Sequence, residues 1–174
     1  VKPARGGSSI GVSKVNSWEE FPAAVDLALE DDEKILVEPE IVGQEVEIGV
    51  LHYADGTLLA SVPALLAGID DSDEGFYGFD TKYLDNVVTA EIPAPFAPEL
   101  TEKLRDMAIR AFEALNCEGL SRVDFFVTED SVYINEINTL PGFTPISMYP
   151  QVLAASGVEY PALLEALIEQ ALAK

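Results

Sequence analysis

Arg122-Val-Asp-Phe-Phe126 and Asn135-Glu-Ile-Asn-Thr-Leu-Pro-Gly142 are the two runs on which the reading of this chain turns. They place Arg122, Asp124, Glu136 and Asn138 on two short apolar strands joined by a polar turn. Charged residues rarely enter such strands without a partner or a metal. Alternation puts Arg122, Asp124 and Phe126 on one face of the first strand and Val123, Phe125 and Val127 on the other. On the second strand, Glu136 and Asn138 share a face with Val132 and Ile134. A hairpin then brings two carboxylates and an amide together beside an arginine. Such hard oxygen donors suit Mg²⁺ that also holds substrate phosphates. The competing assignment is a solvated face of an edge hairpin. For Asp124 to oppose Glu136, the pairing must centre on Asp130. That requires a loop of odd length, about three or five residues, with a bulge. Thr128-Glu-Asp-Ser131 supplies the polar turn residues.

The 174 residues suffice for one sizeable core or two small subdomains. Hydrophobic residues make up 48% and mean hydropathy is +0.16, which indicates a globular and not a disordered chain. No apolar run reaches about 18 residues, so no transmembrane helix is expected. No secretory or transit signal is read at the start. The net charge of −21 argues against nucleic-acid binding, and it repels anionic membranes. Any bound phosphate must be held by a few placed cations, backbone N–H groups and metal. Cys117, the single cysteine, reads as a small buried hydrophobe at a helix end and fits a reducing cytoplasm. Asp70-Asp-Ser-Asp-Glu-Gly75 has the look of a calcium loop, but its twelfth position is Thr81, so it is a solvated loop.

Along the chain, Val1-Lys2-Pro3 reads as the end of a strand, and Val12 to Val15 as a returning strand. Ser17 and Glu20 form a capping-box pattern before a helix reaching about Glu30. Ile35 to Glu38 is a short apolar strand. Val46, Ile48 and Val50 mark a half-buried strand, and Asp55-Gly56 turns it toward a partner at Leu58 to Val62. Residues 64 to 90 have no clean period and read as a long lid or binding loop. A helix runs from about Pro98 to near Gly119. After the hairpin, Thr139 to Pro150 reads as irregular, and Tyr160 to Leu172 as a closing helix. The order of elements is α+β with a mainly antiparallel sheet backed by helices.

Other residues carry weaker signals. The Gly6-Gly-Ser8-Ser9-Ile-Gly11 loop can present N–H groups and hydroxyls to a phosphate, or be a hairpin tip. Lys2 can reach a nucleotide phosphate as a point charge, or be an ordinary surface lysine. Leu36-Val37-Glu38 can recognise an adenine amino group, and Glu45 can accept from ribose hydroxyls; alone, both acids read as solvated. Phe76-Tyr-Gly-Phe-Asp-Thr-Lys82-Tyr83 sets aromatics beside a lysine, as a lid over transferred phosphate or as a loop anchor. Gly142 can offer an N–H to an oxyanion, and Ser147 can hold a carboxylate. His52 alternates with inward strand residues and reads as structural. Catalysis based on histidine or a thiol is not indicated.

Taken together, Val1-Lys-Pro-Ala-Arg-Gly-Gly-Ser-Ser-Ile-Gly11, Phe76 to Tyr83, Arg122 to Phe126 and Asn135 to Pro150 resemble the D-alanine–D-alanine ligases of the ATP-grasp superfamily. The last run is the most specific. The resemblance spans essentially the whole chain and implies an ATP-grasp fold. It also implies ATP-dependent joining of two D-alanines through a D-alanyl phosphate, for peptidoglycan synthesis in the cytoplasm. Asp124, Glu136 and Asn138 become ligands of two Mg²⁺ ions, with Mn²⁺ as an alternative. Arg122 and the Gly142 N–H would stabilise the transition state. Lys2 and the Ser9 region would contact nucleotide phosphate; Glu38 and Glu45, adenine and ribose; Phe76 and Phe126, the base. Lys82 would sit near the phosphoryl group and second substrate, and Ser147 and the Met148 backbone would hold the second carboxylate. Ser8 and Tyr83 would close the site. Tyr83 favours a dipeptide over the D-alanine–D-lactate ester, whose ligases often carry phenylalanine there.

The resemblance has departures. The usual Phe-Tyr-Asp-Tyr-Glu-Ala-Lys-Tyr loop is changed at four positions, and Pro39 stands where a lysine sometimes aids adenine binding. Family members also carry an amino-terminal half, through which they commonly dimerise. The expectation is therefore a carboxy-terminal fragment, inactive alone. Residues 1–40 would end the central nucleotide-binding subdomain, and residues 41–174 would form the catalytic subdomain. The alternatives are another ATP-grasp carboxylate–amine ligase or a D-alanine–D-lactate ligase, a nucleotide-binding module without catalysis, and a structural or interaction domain that has lost the site, against which the intact acid–amide–arginine set argues.

Overall fold

The computed structural model of the chain describes residues 1–7, 9–67 and 89–173. The described residues form two compact units, residues 1–41 and residues 42–67 with 90–173.

The first unit pairs β1 (Lys2–Pro3) antiparallel with β2 (Ile35–Leu36), beside α1 (Phe21–Asp31). Two expectations fail here. Residues 12–15 form no strand: Val1 and Ser13 exchange one reciprocal pair of backbone hydrogen bonds, and the ladder stops. The capping box is also displaced, because residues 17–20 form a turn of their own. Glu20 reaches back to the Asn16 N–H at 2.8 Å, and no side chain caps the helix. What fastens this unit is Arg5 on Asp32. The Arg5 backbone N–H and Nε donate to Asp32 Oδ2 at 2.9 Å, and its NH2 donates to Oδ1 at 2.6 Å. Those hydrogen bonds from Arg5, joined by the Lys34 N–H, hold the Asp32 carboxyl well below the usual carboxylate range.

The second unit is built on β3 (Gln44–His52). It pairs antiparallel with β4 (Leu58–Ala60), β5 (Ala64–Ala67) and β7 (Leu120–Val127), and β7 pairs with β8 (Val132–Asn138). β6 (Thr89–Glu91) lies beyond β5, so the sheet runs β6-β5-β3-β7-β8 with β4 also on β3. Both described ends of the expected loop at residues 64–90 are thus strands, and residues 68–88 lie outside the described residues. The turn between β3 and β4 is as expected. Gly56 adopts a left-handed backbone at φ +87°, and the Tyr53 N–H donates to Thr57 O at 2.9 Å.

β3 is not half-buried but covered on both faces. Val46, Ile48 and Val50 pack with Val123, Phe125 and Val127 under α2 (Pro98–Ala114), through Leu104, Ala108 and Phe112. Asn116 and then Gly119, at φ +51° and +74°, turn the chain from α2 into β7. Leu51 packs on the other face with Tyr149, Val152 and Leu153 of α3 (Met148–Ala155) and Leu163 and Ala166 of α4 (Tyr160–Leu172). The stretch expected to be irregular, Thr139 to Pro150, ends inside α3: Met148, Tyr149 and Pro150 form its first turn, where a proline costs no intrahelical hydrogen bond. The approach of α3 depends on Gly49, since a Cβ there would lie 2.5 Å from Leu153 Cδ2 and 3.0 Å from the Tyr149 ring.

Gly49→Ala is therefore expected to destabilise the chain by about 1–3 kcal/mol through overpacking; an unchanged urea midpoint would remove this account of α3 docking. The depressed Asp32 carboxyl contributes stability that is complete above about pH 4, its unfolded value, and is lost as pH falls through its folded value. Asp32→Asn should flatten the acid limb of a stability–pH curve. A limb as steep as the parent's would place the acid sensitivity elsewhere.

Candidate functional site

Beyond α3, the same face of the sheet carries polar residues. Gly49, Arg122 and Asn138 lie opposite one another across β3, β7 and β8; Glu47, Asp124 and Glu136 form the next register position; Glu45 and Phe126 follow. α3 covers this face at Gly49, and the acids lie beyond it.

The register that opposes Asp124 to Glu136 arises differently from the expectation. Val127 pairs with Val132, so the loop is the even run Thr128–Ser131, closed by Thr128 N–H to Ser131 O at 2.9 Å. Thr128 Oγ1 both accepts from the Ser131 N–H and donates to Ser131 O at 3.1 Å. Phe125 pairs with Ile134 but Asp124 with Glu136, leaving Asn135 as an extra residue in a bulge. The bulge also corrects the faces. Val132 and Ile134 lie on the α2 side with Val127 and Phe125, while Glu136 and Asn138 point to the opposite side, with Asp124 and Arg122.

Arg122 clasps Asp124 with two hydrogen bonds, Nε to Oδ1 and NH2 to Oδ2, each 2.7 Å. Asn138 Nδ2 donates to Asp124 Oδ2 at 2.9 Å and to Glu136 Oε1 at 3.3 Å. Arg122 Nε also lies 3.3 Å from Glu47 Oε2. Burial works against the guanidinium charge. The Asp124 hydrogen bonds and charge, then Glu47 and Glu136, outweigh it and raise the Arg122 pKa above its ordinary value. Glu47, with 4% of its surface exposed, was missed by the sequence reading. Its signal was there: an acid at an alternate position of an apolar strand.

Among the described residues no three His, Cys, Asp or Glu side chains form a metal set. The hairpin offers two carboxylates and an amide. These donors fit a hard divalent cation, and a flip of the Asn138 amide puts Oδ1 where Nδ2 now sits. In this structure Arg122 supplies the positive charge at Asp124.

A second cluster follows β8. Phe143 packs against Tyr149 and Tyr160, with centroids 5.9 and 5.8 Å apart, and Tyr160 OH donates to Phe143 O at 2.9 Å. That folds the segment back, so a Cβ on Gly142 would lie 3.0 Å from Ser147 Oγ. Ser147 precedes α3 without capping it by a side-chain hydrogen bond; its Oγ lies 2.9 Å from Thr144 Oγ1 and accepts from the Thr144 N–H at 3.1 Å. Met148 and Tyr149 supply the first N–H groups of α3, since Pro150 has none. The N–H groups at a helix start favour negative charge.

In the first unit, Lys2 and Glu38 form an ion pair at 2.9 Å. Ser9 sits in a left-handed turn at φ +59°. Ser8, Phe76, Lys82 and Tyr83 lie outside the described residues. His52 stacks edge-to-face on Phe112, and burial raises the Cys117 thiol pKa, as suits structural side chains. Among the described residues no helix is long and apolar enough to cross a membrane.

The family model for the D-Ala–D-Ala ligase carboxy terminus matches residues 1–169. The D-alanine–D-alanine ligase of Corynebacterium efficiens is 66% identical over 172 residues, covering 99% of this chain and 48% of the relative. The D-alanine–D-alanine ligase structure from Coxiella burnetii superposes with a TM-score of 0.83 at 37% identity, covering 98% of this chain and 44% of that one. The Bacillus anthracis D-alanine–D-alanine ligase structure complexed with ATP gives 0.78 at 26%, covering 98% and 51%. The antiparallel sheet with helices on both faces is an ATP-grasp fold. The chain belongs to the D-alanine–D-alanine ligase family and matches its carboxy-terminal part. It spans about half the length of the curated relatives it matches.

Arg122→Met leaves Glu47 and Asp124 without their cation and should cost about 3–5 kcal/mol in urea unfolding, as for a broken buried pair. Adding Glu47→Leu should recover part of that loss. A double variant less stable than the single one would contradict the pairing.

Proposed function

We propose that this chain is the catalytic part of an enzyme that joins two D-alanines at the expense of ATP. The observation that carries the reading is Arg122, Asp124, Glu136 and Asn138 meeting on one face of β7 and β8, in a chain of this family. Residues 1–40 end the nucleotide-binding subdomain, and residues 41–174 are the catalytic one. Asp124, Glu136 and Asn138 hold two Mg²⁺ ions, or Mn²⁺. When bound, the ions neutralise phosphate charge and polarise the transferred phosphoryl group.

The carboxylate of one D-alanine attacks the γ-phosphorus, giving D-alanyl phosphate and ADP. The amine of the second D-alanine attacks that acyl carbon, and phosphate leaves. Arg122 steadies the phosphoryl oxygens and the Gly142 N–H the tetrahedral oxyanion. Ser147 and the Met148 N–H receive the second carboxylate at the start of α3, which points a helix dipole at it. The roles assigned to the nucleotide are phosphate for Lys2, adenine for Glu38, ribose for Glu45 and the base for Phe76 and Phe126. Ser8, Ser9, Lys82 and Tyr83 complete the phosphate and lid contacts. The whole protein acts in the cytoplasm as a homodimer and needs neither nucleic acid nor a membrane.

The test is phosphate release from MgATP by the full-length protein, with D-alanine against L-alanine and with D-lactate as a competing acceptor. D-alanine-specific release is expected, with a dipeptide product; an ester product would reassign the acceptor. Asp124→Asn and Glu136→Gln should each slow release by about 100-fold or more. Near-normal rates in both would sink the metal assignment. MgADP binding without any turnover would make the chain a binding module.

A further inference from the structure

Arg122 faces two carboxylates that differ in kind. The Glu47 side chain is 5% exposed and the Asp124 side chain 15%. Glu47 lies on the central strand, enclosed by β5 and β7. Asp124 lies one strand nearer the edge, next to the exposed Glu136. Arg122 Nε is shared between them, 2.7 Å from Asp124 Oδ1 and 3.3 Å from Glu47 Oε2. Its NH2 is bound to Asp124 alone among the described residues, at 2.7 Å.

This arrangement sets a conflict for any divalent cation on the hairpin. Both oxygens of Asp124 already accept hydrogen bonds, Oδ1 from Arg122 and Oδ2 from Arg122 and Asn138. A cation drawn to Asp124 would stand a few ångströms from a guanidinium that cannot lose its proton, and the two positive charges repel. Asp124 must loosen its grip on Arg122 for the cation to bind well. The displaced guanidinium then needs another anion, since an unpaired buried charge is costly. Among the described residues, Glu47 is the one other carboxylate within ion-pair distance of Arg122.

We infer that Glu47 is a positioning residue: it keeps the Arg122 guanidinium in the site when Asp124 turns from the arginine to a divalent cation, and so sets the affinity for that cation. The inference rests on the metal reading of Asp124 and Glu136 above. In this role Glu47 acts on the cation through Arg122 and not as its ligand. Its burial makes it the permanent partner, and the greater exposure of Asp124 makes that residue the exchangeable one. The strand register supports this order: Glu47 and Asp124 are direct neighbours across β3 and β7, so the guanidinium passes from one to the other without leaving the site.

The test is Mn²⁺ titration of the 174-residue chain, with free Mn²⁺ read by electron paramagnetic resonance. Asp124→Asn defines the part of binding that belongs to the site, which matters on a chain of net charge −21. Glu47→Gln should weaken that part by about tenfold or more, as loss of a supporting contact does at metal sites. In an Arg122→Gln background the same Glu47→Gln change should have little further effect. An equal loss in both backgrounds would mean that Glu47 simply attracts the cation, and the inference fails. The parent chain gives an independent readout: the Arg122 Nε–H resonance should shift on adding Mg²⁺, as its Asp124 partner departs. An unmoved resonance at saturating Mg²⁺ would also overturn the inference. Mn²⁺ binding that Asp124→Asn leaves intact overturns the metal reading itself, which a loss confined to the Glu47 variant does not.

Discussion

The close approach of α3 to β3 at Gly49 is the constraint on which the second unit depends. The absence of a side chain at that one position lets Leu153 and Tyr149 reach the backbone of the central strand. Tyr149 fastens the contact by donating to Val50 O at 3.1 Å. The helix then seals one part of the sheet face with an apolar cluster and leaves the rest to polar side chains. Arg122 and Asn138 share a register position with Gly49, at the boundary between the two parts. The polar group therefore borders an apolar cluster, and with Glu47 and Asp124 largely buried its ion pairs are stronger than on a free surface.

Charge is distributed in the same spirit. The chain carries 31 acids against 10 basic residues, and among the described residues Arg122 answers at this face for Glu47, Asp124 and Glu136. The surplus is negative, which favours cations over anions near this face. Arg122 makes the acid group tolerable to the fold before anything binds. Arg5 performs the matching task in the first unit, where Asp32 accepts from its backbone and its side chain together.

Much of this was legible in the sequence, and the failures share a cause. The opposition of Asp124 and Glu136 follows from alternation, with the requirement that the pairing centre on Asp130. Alternation alone could not tell an odd loop with a bulge from an even loop with a bulge deeper in the strand, and the second is what the chain adopts. The faces of Val132 and Ile134 went wrong for the same reason, because a period of two is broken by one inserted residue. Glu47 escaped notice because Val46, Ile48 and Val50 suggested a strand with one wet face. Burial of the other face at Gly49 and Leu51 comes from α3, whose first turn lies inside the stretch expected to be irregular. The strand expected at residues 12–15 stops after the single Val1–Ser13 pair, and at Ser17 the acid of the expected capping box turns back to Asn16. Family membership needed no geometry, since Asn135 to Pro150 carries it in order.

The bulge at Asn135 separates two demands that a plain strand would bind together. In an unbroken β8, the side chains that fill the core and those that meet a ligand would be fixed to one parity, and a one-residue change in the hairpin loop would exchange them. With the extra residue between Ile134 and Glu136, Val132 on one side of the bulge and Ile137 on the other both reach the core, and Glu136 and Asn138 are set opposite Asp124 and Arg122. One inserted residue thus lets a strand keep its core contacts at both ends and still present its acid and amide to the opposite face.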